Sequence, residues 1–221
     1  MFDISKLALK IPNFLTHEEC DGLILEFEQR KDESTSESSL DYKTNKSKQS
    51  TFKVVSLKPY TNNFNFIKYK SKQATEIWVD YLTKPNLFFT TQLKQNLKFS
   101  HNYRIMKYET GAQIHPHSDH EPGIYGSISF NLNNNYKGGK FKFFNGNHTI
   151  SLDKGDALVF PADYFWVHEV TPVTKGVRYS INSFLTKYPI TSMDQGGQIT
   201  EYLSNEFIKN TPSEELLGPY N

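Results

Sequence analysis

Apolar and polar positions along this chain follow two different periods, and the change of period divides it. Residues 13–29 read NFLTHEECDGLILEFEQ, with Leu23, Ile24 and Phe27 recurring at helical spacing. Thr16 ahead of Glu18 and Glu19 marks the start of that helix, because acids in a first turn suit the helix dipole. A second helical stripe runs over 65–82 through Phe66, Tyr69, Ala74, Ile77, Trp78 and Tyr81. Both predict helices packed on the outside of a sheet. Between them, residues 51–57 (TFKVVSL) read as a strand. Residues 30–50 are rich in Lys, Ser, Thr, Asp and Glu, with little beyond Leu40 and Tyr42 to bury, which predicts a mobile loop or lid.

From Lys98 onward short strands alternate with Gly, Asn, Asp and Pro turns. The candidates are 101–108, 114–117, 126–132, 139–144, 148–152, 157–160, 165–170 and 178–185. Many short strands with close turns make a sandwich or barrel. The predicted class is α+β: a jelly-roll (double-stranded β-helix) core over residues 98–187, supported by helices within 1–97. The tail, 188–221, carries one more helical stretch at 199–209, and residues 1–221 are read as one domain.

Composition narrows the function classes. A net charge of +1 gives no overall field toward nucleic acid or an anionic membrane. No basic-plus-aromatic cluster resembles a single-strand platform, so nucleic acid is a disfavoured partner. The sole cysteine, Cys20, excludes a disulfide within the chain and a multi-Cys zinc site, and reads as a small core residue. The opening MFDISKLALKIPNF carries an acid and no long apolar run, unlike a secretory signal. No stretch has the roughly 18–20 apolar residues that span a bilayer, so a cytosolic setting without membrane contact is expected.

The chemistry gathers in the β-rich part. His117 and Asp119, two apart on an extended segment, project from one face. His168, on a distant strand, supplies a third donor for the same cavity. Two neutral imidazoles and one carboxylate leave coordination positions open, the donor set of non-haem iron(II) oxygenases. Ten residues beyond His168, Arg178 shares a strand face with Ser180 and Asn182. A guanidinium grips a carboxylate by paired hydrogen bonds, and the Ser180 hydroxyl can add another. On the strand 126–132, Ser127, Ser129 and Asn131 are expected to face a wet cavity while Ile128, Phe130 and Leu132 face the helices or the outer core.

Four segments carry a resemblance: NFLTHEECDGLI, YETGAQIHPHSD, GGKFKF and LDKGDALVFPADYFWVHEVTPVTKGVRYSI. Over residues 9–185, apart from the polar segment, the chain resembles the prolyl 4-hydroxylase-like 2-oxoglutarate- and iron(II)-dependent dioxygenases. The resemblance implies iron ligation by His117, Asp119 and His168, and 2-oxoglutarate binding by Arg178. It puts Tyr108 in the co-substrate pocket and Asn131 near a pocket position that varies among relatives. It implies Fe(II), 2-oxoglutarate and O2 as the reacting set, with ascorbate an allowed accessory, and conversion of 2-oxoglutarate to succinate and CO2. The implied reaction is C–H hydroxylation on a peptide or protein substrate, a peptidyl proline first or another amino-acid side chain. A small metabolite or a nucleobase is the alternative substrate, and a non-catalytic metal-binding jelly roll the alternative class. Oligomeric state is left open.

Other residues have plainer readings. His115 and His120 flank the ligand pair as solvated or supporting residues, and His101 and His148 read as turn or edge positions. Gly138-Gly139 reads as a turn. Trp166 either lines the substrate mouth or packs against the barrel rim. Tyr108, Ser180 and Asn131 compete with ordinary packing roles.

Overall fold

The computed structural model describes residues 3–41, 46–83, 87–97 and 99–187. The elements run β1 (Leu9–Ile11), α1 (His17–Gln29), β2 (Thr35–Asp41), β3 (Lys46–Ser56), α2 (Asn62–Thr83), α3 (Leu87–Asn96), β4 (Phe99–Tyr108), β5 (Ile114–His117) and β6 (Ile124–Asn131). They continue with β7 (Lys137–Gly138), β8 (Phe141–Phe143), β9 (His148–Ile150), β10 (Ala157–Pro161), β11 (His168–Val170), β12 (Val173–Lys175) and β13 (Arg178–Thr186). A seven-stranded sheet has the order β1-β10-β6-β13-β4-β3-β2, and a four-stranded sheet the order β5-β11-β8-β9. β12 and β7 form a small third pair. The large and four-stranded sheets make the jelly roll, with antiparallel neighbours throughout.

Helix α1 begins where its sequence demands. The Thr16 hydroxyl accepts from the Glu19 N–H at 3.2 Å, and the Glu19 carboxylate accepts from the Thr16 N–H at 2.7 Å. That reciprocal pair satisfies two donors the helix start leaves open. The helix then buries Cys20, Leu23 and Phe27, and α2 buries Ile67, Ala74 and Trp78. These side chains pack on Ile105, Ile128, Phe130 and Ile181 of the large sheet, forming the main core. Each such side chain contributes about 1.5–3 kcal/mol by leaving water. The Ser71 and Ser183 hydroxyls, 3.0 Å apart, satisfy each other between α2 and β13. The large sheet therefore spends its outer face on helices, which leaves its inner face for the cavity.

Several expectations change. Among the described residues of 30–50, strands stand where a loop was expected: β2 pairs with β3, and β2 also runs past β5 on the other sheet. Short strands β1 and β12 and helix α3 join the predicted elements. The stretch 139–144 splits into β8 and a 3-10 turn, and of 165–170 only His168–Val170 is a strand. His101 is not on a turn or edge. It lies within β4, 9% exposed, opposite Phe184. His148 does open the edge strand β9. The helix predicted at 199–209 lies outside the described residues.

Candidate active site

Strands β5 and β11 are neighbours, and His117 pairs directly with His168. The chain leaves β5 after His117 and carries Asp119 back toward the same point. The donor atoms of His117, Asp119 and His168 all lie within 4.8 Å of one another. His117 Nε2 is 3.2 Å from Asp119 Oδ1, and His168 Nε2 is 3.5 Å from Asp119 Oδ2. Such a cluster of two imidazoles and one carboxylate could hold a divalent metal.

Backbone carbonyls aim both rings. His117 Nδ1 lies 2.8 Å from the His115 carbonyl, and His168 Nδ1 lies 3.0 Å from the Trp166 carbonyl. A carbonyl oxygen only accepts, so each Nδ1 carries the proton and each Nε2 presents its lone pair to the cluster. Ser127 donates to Asp119 Oδ2 at 2.6 Å, orienting the carboxylate from β6. Burial pushes the His168 imidazole down to about 4, which keeps it neutral and ready to ligate. For Asp119, burial raises the carboxyl, but His168, His117 and Ser127 outweigh it and hold the group below the usual carboxylate range. Burial opposes a charged His117 too, yet its contact with Asp119 tips the ring above its ordinary value.

The cluster opens into a cavity of about 400 Å³ between the two sheets. Tyr108, Ser129, Ser180 and Asn182 line it from the large sheet, and Phe141 from the small one. Arg178 stands behind this wall, 1% exposed. Its guanidinium lies over the rings of Tyr108, at 4.9 Å, and Phe141, at 5.7 Å, and its Nη1 donates to Ser180 Oγ at 3.1 Å. Arg178 Nε and Nη2 are buried without a hydrogen-bond partner among the described residues. A buried guanidinium with donors to spare is costly unless an anion meets it. The arrangement fits a carboxylate ligand reaching that end of the cavity.

Asn131 is not part of that wall. Its Nδ2 donates to the carbonyls of Asn133 (2.6 Å), Leu152 (3.3 Å) and Asp153 (3.2 Å), and its Oδ1 accepts from Tyr136 at 3.0 Å. The carboxamide is spent holding turns together at the strand end. Trp166 is packed against Phe143 and Phe144, 1% exposed, and does not reach the mouth. His115 and His120 stay out of the cluster; His120 stacks on Tyr164 at 3.6 Å between ring centres.

Two contributors escape a reading of the sequence by motif. Gly139, taken as a turn, leaves the space the Arg178 stem fills: a Cβ there would stand 2.7 Å from Arg178 Cδ. Arg104 lines the cavity from β4, in ion-pair contact with Glu37 of the hairpin. Its period-two spacing with Tyr108 is the signal that could have exposed it.

The family model described as the 2OG-Fe(II) oxygenase superfamily matches residues 103–186. A PKHD-type hydroxylase of Idiomarina loihiensis is 29% identical over 170 residues, 72% of this chain and 75% of that protein. One of Cupriavidus pinatubonensis is 34% identical over 71 residues, a match that spans 30% of each. The fold is shared with a Trichoplax adhaerens prolyl hydroxylase solved with a hypoxia-inducible factor peptide fragment: TM-score 0.60, 16% identity, covering 83% of this chain and 84% of that one. Residues 103–186 thus resemble the 2-oxoglutarate- and Fe(II)-dependent oxygenases, and the fold is the one that prolyl hydroxylases adopt.

Proposed function

We propose that this chain hydroxylates an amino-acid side chain, proline first, with Fe(II) held by His117, Asp119 and His168. Arg178, with Ser180 beside it, takes the distal carboxylate of 2-oxoglutarate, and Tyr108 closes that end of the pocket. The observation that carries the reading is the pair of free donors on buried Arg178, aimed from behind the cavity that holds the cluster. Iron, when bound, supplies the redox chemistry by which O2 and 2-oxoglutarate become succinate and CO2 while a substrate C–H becomes C–OH.

The protein's own work is placement. The His115 and Trp166 carbonyls fix which nitrogen of each ring faces the metal position, and Ser127 turns the Asp119 carboxylate toward it. The Arg178 guanidinium neutralises one end of a diacid and so sets its direction. Phe141 and Phe160, packed around His168, keep that side of the cavity dry. The amino-acid substrate is favoured by likeness to a fold whose Trichoplax member was solved with a peptide.

Succinate formation dependent on Fe(II) is the test. His117→Ala and His168→Ala should each lower it by about a hundredfold or more, because two donors hold the metal poorly. Full succinate formation in both variants would overturn the ligand assignment.

A further inference from the structure

Arg104, Asn182 and Ser129 stand opposite one another on the adjacent strands β4, β13 and β6. Direct partners in antiparallel strands point to the same face, with Cβ atoms about 4.5–5.5 Å apart. All three line the cavity of the His117–Asp119–His168 cluster. Each also carries a buried polar atom with no partner among the described residues: Arg104 Nε, Asn182 Oδ1 and Ser129 Oγ. Leaving three such atoms dry and unpaired costs stability, so the row is built for something that meets them.

The chemistry of that something follows from the free atoms. Arg104 Nε offers a donor, Asn182 Oδ1 an acceptor, and Ser129 Oγ either. The row is close to neutral, because Arg104 already donates through Nη1 to the Glu37 carboxylate. A carboxylate at the edge of the row disfavours a dianion, and Arg178 already serves a diacid at the other end. A neutral group with an adjacent C=O and N–H matches the row: an amide.

We propose that Arg104, Asn182 and Ser129 form a subsite that binds one amide group of the substrate, its carbonyl on Arg104 Nε and its N–H on Asn182 Oδ1. Glu37 acts as a positioning residue: it holds the Arg104 guanidinium at the cavity wall. The inference deepens the proposed function and rests on it. The substrate residue is then recognised by main-chain or carboxamide hydrogen bonds, next to the Ser127–Asp119 contact that orients the metal cluster.

The test uses the full chain loaded with Mn(II) and 2-oxoglutarate under anaerobic conditions, so that binding is read without turnover. Saturation-transfer NMR compares N-acetyl amino-acid N-methylamides with the same free amino acids and with an oligothymidylate. The wild type should bind a capped amino acid at least about tenfold more tightly than its free form. Arg104→Met and Asn182→Leu should each erase about tenfold of that, the worth of one buried hydrogen bond, with 2-oxoglutarate binding retained. Asn182→Leu leaves the Arg104–Glu37 pair in place, so it reads the subsite even if Arg104→Met fails to fold. Equal binding of capped and free forms, preference for the oligonucleotide, no binding of any capped probe, or unchanged affinity in the folded variants would each overturn the subsite. Loss of 2-oxoglutarate binding in these variants would also overturn it, by assigning the row to the co-substrate. Failure of the wild type to bind 2-oxoglutarate at all would instead sink the role given to Arg178.

Discussion

Gly139 shows how far one missing methyl group reaches. Its φ of +59° already favours glycine, and a Cβ would press on the Arg178 stem at 2.7 Å. Gly139→Ala should therefore move the guanidinium off its perch over Tyr108 and Phe141. The expected result is about a tenfold rise in KM for 2-oxoglutarate with a smaller change in kcat, measured by steady-state succinate formation. An unchanged KM would mean the stem can shift without loss. A glycine read in sequence advertises only backbone freedom; which side chain needs the room depends on a strand that arrives later in the chain. Arg178 and Ser180 could be put on one face because period-two alternation settles which side a strand residue takes, whereas Asp119 lies past the end of β5 and reaches the cluster by a turn of the chain. Asn131 obeyed the same alternation, yet the turns at its strand end claimed every atom of its amide.

At the scale of elements, local chemistry decided what could be foreseen. Helix α1 announced itself through Thr16 and its acids, and Thr16→Ala should cost about 1 kcal/mol, read as a lower urea midpoint with an unchanged slope. Thr16→Ser should be nearly silent. A full-size loss in Thr16→Ser would show that the methyl group, and not the hydroxyl, matters. Strand β2 and the first half of β3 were illegible for the opposite reason, whereas residues 51–57 read as a strand. Residues 35–50 are mostly Ser, Lys, Thr, Glu and Asp, with no apolar alternation, so their pattern matches that of a solvated loop. The strands β1 and β12, three residues each, are too short for any period to register.

The jelly roll was legible in outline from the short strands after Lys98, although β1, β2 and β3 of its large sheet come from residues 9–56, among the helices. What no local pattern reveals is how the site is shared. His117 and His168 belong to the four-stranded sheet, whereas Ser127, Ser180 and Arg178 belong to the seven-stranded one. On the proposed reading, metal and diacid fasten the two sheets to each other. Mn(II) with 2-oxoglutarate at a hundredfold excess over Kd should then add about 2.7 kcal/mol to unfolding, seen as a higher Tm that a chelator reverses. No change in Tm would show that nothing binds between the sheets.

A vault whose two leaves lean on the same keystone has its own arithmetic of failure. Core damage on the helix side of the large sheet, such as Ile181→Ala in β13, need not touch a single ligand to spoil it, because the spacing of the leaves is what the ligands measure. Supplying the keystone in excess would restore such a variant, whereas a variant lacking a ligand would stay broken however much is supplied.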